Sequence, residues 1–269
     1  MTRRTFALTL AAGKLYAEAP NQKGRAIIDK AIQALGGDAF RNLRTRTETG
    51  RAYSFYRQQM TGLSLARIQT KYLPADGVPS SDAAAGKIRQ LQRQAFGKKQ
   101  EEVVLITAGQ AYEITYKGAT PLADVRSEQL RETTLQDIFY ILRQRLNESG
   151  LVINALGTDV IENQRVETVQ IFDDSNRALT VWFNANTFLP VKQRFFRFDP
   201  VIKDRREEVT RYSLYRDAGS GVMWPFSTER ERDTEKVFQL FADSVAVNEA
   251  MPDSIFELPP GIKMLKKPV

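Results

Sequence analysis

The sequence predicts a mainly β protein, one large and strongly curved antiparallel sheet accompanied by two helices. Three observations lead there. From Arg44 onward the chain falls into about a dozen segments rich in Thr, Val, Tyr and Phe, residue types that suit a pleated surface. In the C-terminal half these segments are separated by short turns, such as Glu162-Asn163-Gln164 and Asp173-Asp174-Ser175-Asn176. Short connections of this kind join antiparallel neighbours in a continuous sheet. Residues 23–35 and 127–147 are the two segments that read clearly as helices from apolar side chains at helical spacing.

Taken in order, the chain opens with Arg3 and Arg4 ahead of a short apolar run, and Ala17-Glu18-Ala19 offers a cleavage site before Pro20. That is the layout of an export signal. Thr2-Arg3-Arg4-Thr5-Phe6 resembles the twin-arginine type. Residues 1–19 are therefore expected to be a signal for the periplasm, residues 20–262 a single domain, and 263–269 a solvated basic tail. No later stretch approaches the ~18 apolar residues of a membrane helix.

In the first helix Ala26, Ile27, Ala31, Ala34 and Leu35 recur at helical spacing and Gly36-Gly37 stops it, with a turn over 38–42. Strands follow at 47–57 and 63–72, with a break at Thr61-Gly62. Residues 74–86 are a Ser, Pro, Gly and Ala loop. Residues 87–96 fit a helix through Ile88, Leu91 and Ala95, but their place between strands favours a strand. Segments 103–107 and 111–116 read as a hairpin about Ala108-Gly109-Gln110. The helix at 127–147 gathers Leu130, Thr134, Ile138, Ile141 and Leu142 on one face, with Asp137 in that apolar neighbourhood, and Asn147 to Gly150 end it. A meander completes the sheet: 152–161, 166–172, 178–183, 189–198, 207–216, 223–232 and 236–248. The closing segment 255–261 is expected to be extended and packed by Phe256.

Composition narrows the chemistry. The 269 residues include no histidine and no cysteine. That excludes thiolate and imidazole catalysis, Cys- or His-ligated metals and disulfides. Paired carboxylates remain, but Glu101-Glu102, Asp173-Asp174 and Glu207-Glu208 are sequence neighbours, and neighbours in a strand point to opposite faces. The net charge of +7 is spread among acidic residues rather than gathered in the aromatic-studded basic stripe that nucleic acid requires. The expectation is a binding protein without enzymatic activity, cofactor or nucleic-acid partner.

Several strands are apolar on both faces. In 178–183, Leu179, Val181 and Phe183 face one way and Trp182 the other. Such strands are buried on both faces or line an apolar cavity. Candidate cavity residues are Ile138, Phe139 and Leu142 on the second helix, with Trp182, Phe183 and Phe195 on the sheet. The alternative is that helix 127–147 plugs the sheet, leaving a cell-envelope scaffold or assembly protein with a self-filled cavity.

The order of several motifs resembles a family. They are Leu35-Gly36-Gly37 followed by Leu43 to Gly50, Gly157 to Val166, Val181-Trp182-Phe183-Asn184-Ala185-Asn186-Thr187-Phe188-Leu189-Pro190, Asp217 to Gly221 before Trp224-Pro225, and Val247 to Pro259. Together, over about residues 23–260, they look like the outer-membrane lipoprotein-sorting carriers of the LolA/LolB type, in a longer form. The resemblance implies an unclosed β-barrel of about eleven strands with helices over its concave face. It also implies a cavity for lipid or lipoprotein acyl chains, and a partner protein at the inner or outer membrane.

Overall fold

The structure, a computed structural model, describes residues 20–74, 88–107 and 109–268. The expected export signal, all but Pro74 of the 74–86 loop and the Ala108 turn position lie outside these residues. The described chain contains one antiparallel sheet of thirteen strands. These are β1 Thr45–Tyr56, β2 Gln59–Tyr72, β3 Gln90–Phe96, β4 Glu102–Ile106, β5 Ala111–Thr115, β6 Gly118–Pro121, β7 Val152–Ile161, β8 Gln164–Phe172, β9 Ala178–Asn184, β10 Pro190–Asp199, β11 Asp204–Asp217, β12 Met223–Arg232 and β13 Glu235–Val247. Their spatial order is β6-β5-β4-β3-β2-β1-β13-β12-β11-β10-β9-β8-β7.

That order explains where the helices sit. The first six strands meander outward to the β6 edge. The last seven start at the opposite edge, β7, and return until β13 pairs with β1. The chain must cross from one edge to the other between Pro121 and Val152, and this crossing carries α3 Asp124–Leu135 and α4 Ile138–Tyr140, which runs into a π-helical turn, Ile141–Arg145. The sheet is curved and unclosed, and the crossing segment packs into its mouth. Helix α1, Pro20–Ala34, places fully buried Ile28, Ala31 and Ile32 in the main core. Its Gly24 lies against β7 so closely that a Cβ would come within 2.9 Å of the Ile153 carbonyl oxygen. A short helix, α2 Asp38–Arg41, occupies the turn expected after it and buries Phe40.

Several expectations are corrected. The strands number thirteen rather than about eleven, and β6 has no counterpart in the sequence reading. The β1–β2 turn falls at Arg57-Gln58, both at positive φ, as a two-residue hairpin turn requires; Thr61-Gly62 lies inside β2. The 127–147 segment is two helices, because Asp137 leaves helical conformation and its side chain accepts the Tyr140 amide as an N-cap. Lys263, Lys266 and Lys267 are exposed, as expected of a solvated segment, and the backbone there is also paired. Met264 bridges Ala119 in parallel, and Leu265 donates its amide to the Ala119 carbonyl at 2.8 Å. Lys267 pairs with Asp124. The closing segment forms a 3-10 turn at Asp253–Phe256, with Phe256 buried.

Candidate functional site

The crossing segment is held in place by polar side chains rather than by its apolar face alone. Gln193 on β10 accepts the Ile138 amide at 2.9 Å and donates to the Gln136 carbonyl at 3.3 Å, clamping the break between α3 and α4. Arg145 is 1% exposed. It donates to the Leu135 carbonyl, to Glu148 and to Asp173 in the β8–β9 turn. Arg143 donates to the Leu43 carbonyl at 2.9 and 3.1 Å. Helix α3 is different: Leu135 is its one buried residue among twelve.

Five of the six candidate residues come together. Ile138, Phe139, Leu142, Phe183 and Phe195 are all buried in one core with α1. Phe139 sits edge-on to Tyr212 at 5.0 Å and tilts over Trp224 at 4.5 Å. Trp182 is apart, on the opposite face of β9 from Phe183. There the Lys192 and Arg194 head groups lie 4.9 and 5.5 Å over its ring. That second face is covered by two cations whose charged ends sit over the ring, a favourable cation–π arrangement.

Two spaces adjoin α3. An open groove of about 630 Å³ runs between α3 and the β4–β5 hairpin, with apolar walls from Ile88, Ile106, Val125, Leu130, Phe198 and Pro200. Its size falls within the usual range for small-molecule sites. Beneath the helix lies a chamber of about 130 Å³, and Ile106, Leu130 and Thr134 belong to the walls of both.

The chamber mixes polar side chains with apolar walls such as Ile68, Phe238 and Leu240, where a wholly apolar concave face was expected. Arg46 and Glu48 point inward from β1 and bond to each other at 2.8 Å. The Arg46 guanidinium also donates to the Tyr72 hydroxyl at 2.5 Å and stacks 4.0 Å over Trp224. Gln90, Gln92 and Gln94 line the β3 wall, with Gln94 donating to Gln92 at 2.6 Å. Burial raises the Asp137 carboxyl above its ordinary range, opposed by its bond from the Tyr140 amide and by Arg46. Burial also pushes the Tyr212 phenol well up. These residues were missed by sequence reasoning. The one available signal was the period-2 repeat of Gln90, Gln92 and Gln94, which places all three on one face of a strand. Nothing in the sequence distinguishes the inward Arg46 and Glu48 from an outward pair.

No protein-family model and no curated protein matches the sequence. Solved structures do. A putative outer membrane lipoprotein-sorting protein domain from Vibrio parahaemolyticus aligns over 88% of this chain and 97% of its own, at 13% identity and a TM-score of 0.57. A DUF1329 family protein from Desulfovibrio piger aligns over 89% and 98%, at 10% identity and 0.59. A LolA superfamily protein from Nitrosomonas europaea aligns over 87% and 97%, at 14% identity and 0.50. With the unclosed sheet and the helices packed in its mouth, the chain has the fold of the LolA/LolB-like lipoprotein-sorting proteins.

Proposed function

We propose that the protein is an exported, periplasmic, non-enzymatic carrier that holds the acyl chain of a lipid or lipoprotein. The observation that carries this reading is the groove of about 630 Å³ beside α3, in a fold shared with lipoprotein-sorting proteins. Each methylene removed from water there contributes about 0.8 kcal/mol, so a chain lying along Ile106, Val125 and Leu130 is retained without catalytic groups. Ile138, Phe139, Leu142, Phe183 and Phe195 are packed in the core with α1; Phe139 reaches the chamber wall and the other four line neither space, so they are not the contact surface of this proposal. Delivery to a partner protein at the outer membrane completes the proposal.

Native mass spectrometry of the mature protein purified from its own envelope, followed by organic extraction, tests the reading. A stoichiometric adduct yielding acyl chains is expected. Leu130→Asp, at the groove wall, is expected to lower uptake of a fluorescent fatty acid at least ten-fold while the protein stays folded. Unchanged uptake removes the groove from the site. Asp at Phe139 or Phe183 is a poorer test, since both are buried and a core charge unfolds proteins for unrelated reasons.

A second reading is favoured by one observation. Five candidate cavity residues are already packed against one another and α1. A scaffold with a self-filled interior predicts a clean apo mass and no uptake of added lipid.

A further inference from the structure

We infer that the chamber beneath α3 is a binding site for the uncharged, hydrogen-bonding head of an amphiphile whose chain lies in the outer groove. The inference rests on the carrier reading and specifies its cargo. Four observations carry it.

First, the chamber brings polar groups among its apolar walls, at the place where this fold was expected to be apolar throughout. Amides from Gln90, Gln92 and Gln94 and hydroxyls from Thr133, Thr134 and Thr228 line it. Second, the Tyr212 side chain at its wall is 5% exposed, and among the described residues its hydroxyl meets no group but the neighbouring Thr210. A phenol hydroxyl both donates and accepts, so it has capacity there for a further partner from water or a ligand. Third, the charges present are opposed or engaged. Arg46 bonds to Glu48 and Tyr72 and stacks on Trp224. Asp137 and Arg230 complete the charged lining. An anionic head meets the like charges Glu48 and Asp137, and a cationic head meets Arg46 and Arg230, so either sign of head is desolvated beside like charge. A neutral diol or amide meets only donors and acceptors. Fourth, about 130 Å³ holds about four waters at roughly 30 Å³ each, which is the scale of a glycerol-sized head. The shared walls Ile106, Leu130 and Thr134 place this site directly beside the chain groove.

The protein contains two tryptophans, and that makes the test specific. Trp224 lines the chamber, whereas Trp182 lies on the other face of β9 under Lys192 and Arg194. Trp182→Phe therefore leaves one reporter at the chamber. Its emission is followed while 1-oleoylglycerol, oleate and oleylamine are titrated; the three share one chain and differ in the charge of the head. Oleoylglycerol is expected to bind at least ten-fold more tightly than either and to shift Trp224 emission. Tyr212→Phe and, separately, Gln92→Leu are expected to erase that preference and leave oleate affinity unchanged. Three equal affinities, a preference for a charged head, or an unmoved Trp224 overturns the inference and leaves the carrier standing. If none of the three binds, the carrier reading falls and this inference falls with it.

Discussion

Two carboxylates, one in the crossing segment and one in its anchor, respond to pH in opposite directions. Burial alone raises Asp173, but its bonds from Arg177 and Arg145 outweigh that and bring it below the ordinary carboxylate range. Its contribution to stability is therefore present above that range and lost as pH falls through the depressed value. Asp137 is raised, chiefly by burial. Its contribution is full below the ordinary value and lost as pH climbs through the raised one. Asp137→Asn keeps an oxygen for the Tyr140 amide and removes the charge. The variant is expected to gain on the parent as the pH of chemical denaturation moves from about 4 to 7; a parallel pH profile contradicts this. Arg145→Met tests the other anchor. It strands part of the Asp173 charge and the Leu135 carbonyl, and is expected to cost about 3 kcal/mol in urea unfolding, the lower end of the range because Arg177 still pairs with Asp173.

At the scale of elements, α3 stands apart from its neighbours. It buries Leu135 alone, whereas α1 and α4 are sunk in the main core. Local stability follows buried apolar contact. Amide hydrogens of α3 are expected to exchange at least ten-fold faster than those of β11–β13 in hydrogen-exchange mass spectrometry. Added 1-oleoylglycerol is expected to slow α3 and leave the strands unchanged. Equal protection of α3 and the central strands removes the moving element that the proposed loading requires. The break at Gln136-Asp137 has a function in this picture: it separates a loosely held helix from a firmly clamped one, with Gln193 holding the joint.

At the scale of the whole molecule, the thirteen strands of the described residues leave two edges, β6 and β7. Unpaired edges template association. The β6 edge is covered by the C-terminal segment through Ala119, Lys263 and Leu265. The fit at Gly118 is tight enough that a Cβ would collide with the Lys263 carbonyl oxygen. A chain ending at Gly261 is expected to expose that edge and to form higher-mass species in light scattering at concentrations where the full chain scatters as one. Unchanged scattering assigns the tail no protective part. Among the described residues, no helix is long and apolar enough to cross a membrane.

What the sequence by itself determined was local. The strand segments, the helix stop at Gly36-Gly37 and the turn at Asp173 to Asn176 follow from period-2 and period-3.6 patterns and from turn chemistry, which act over a few residues. Alternation set Phe183 on one face with Leu179 and Val181, but the same-face neighbours of Phe195 are Gln193 and Arg197, so alternation alone did not mark Phe195 as buried. Tertiary structure decided the rest. Trp182 was separated from Phe183 by strand alternation, and only the partners Lys192 and Arg194 reveal what covers it. The break at Asp137 depends on Gln193, which is 55 residues away from Ile138 in the chain. The polar chamber depends on which face of β1 turns inward, and Arg46 and Glu48 find Tyr72 and Trp224 only once the sheet has curled. Periodicity tells which residues share a face; the curvature and the crossing segment decide what that face encloses.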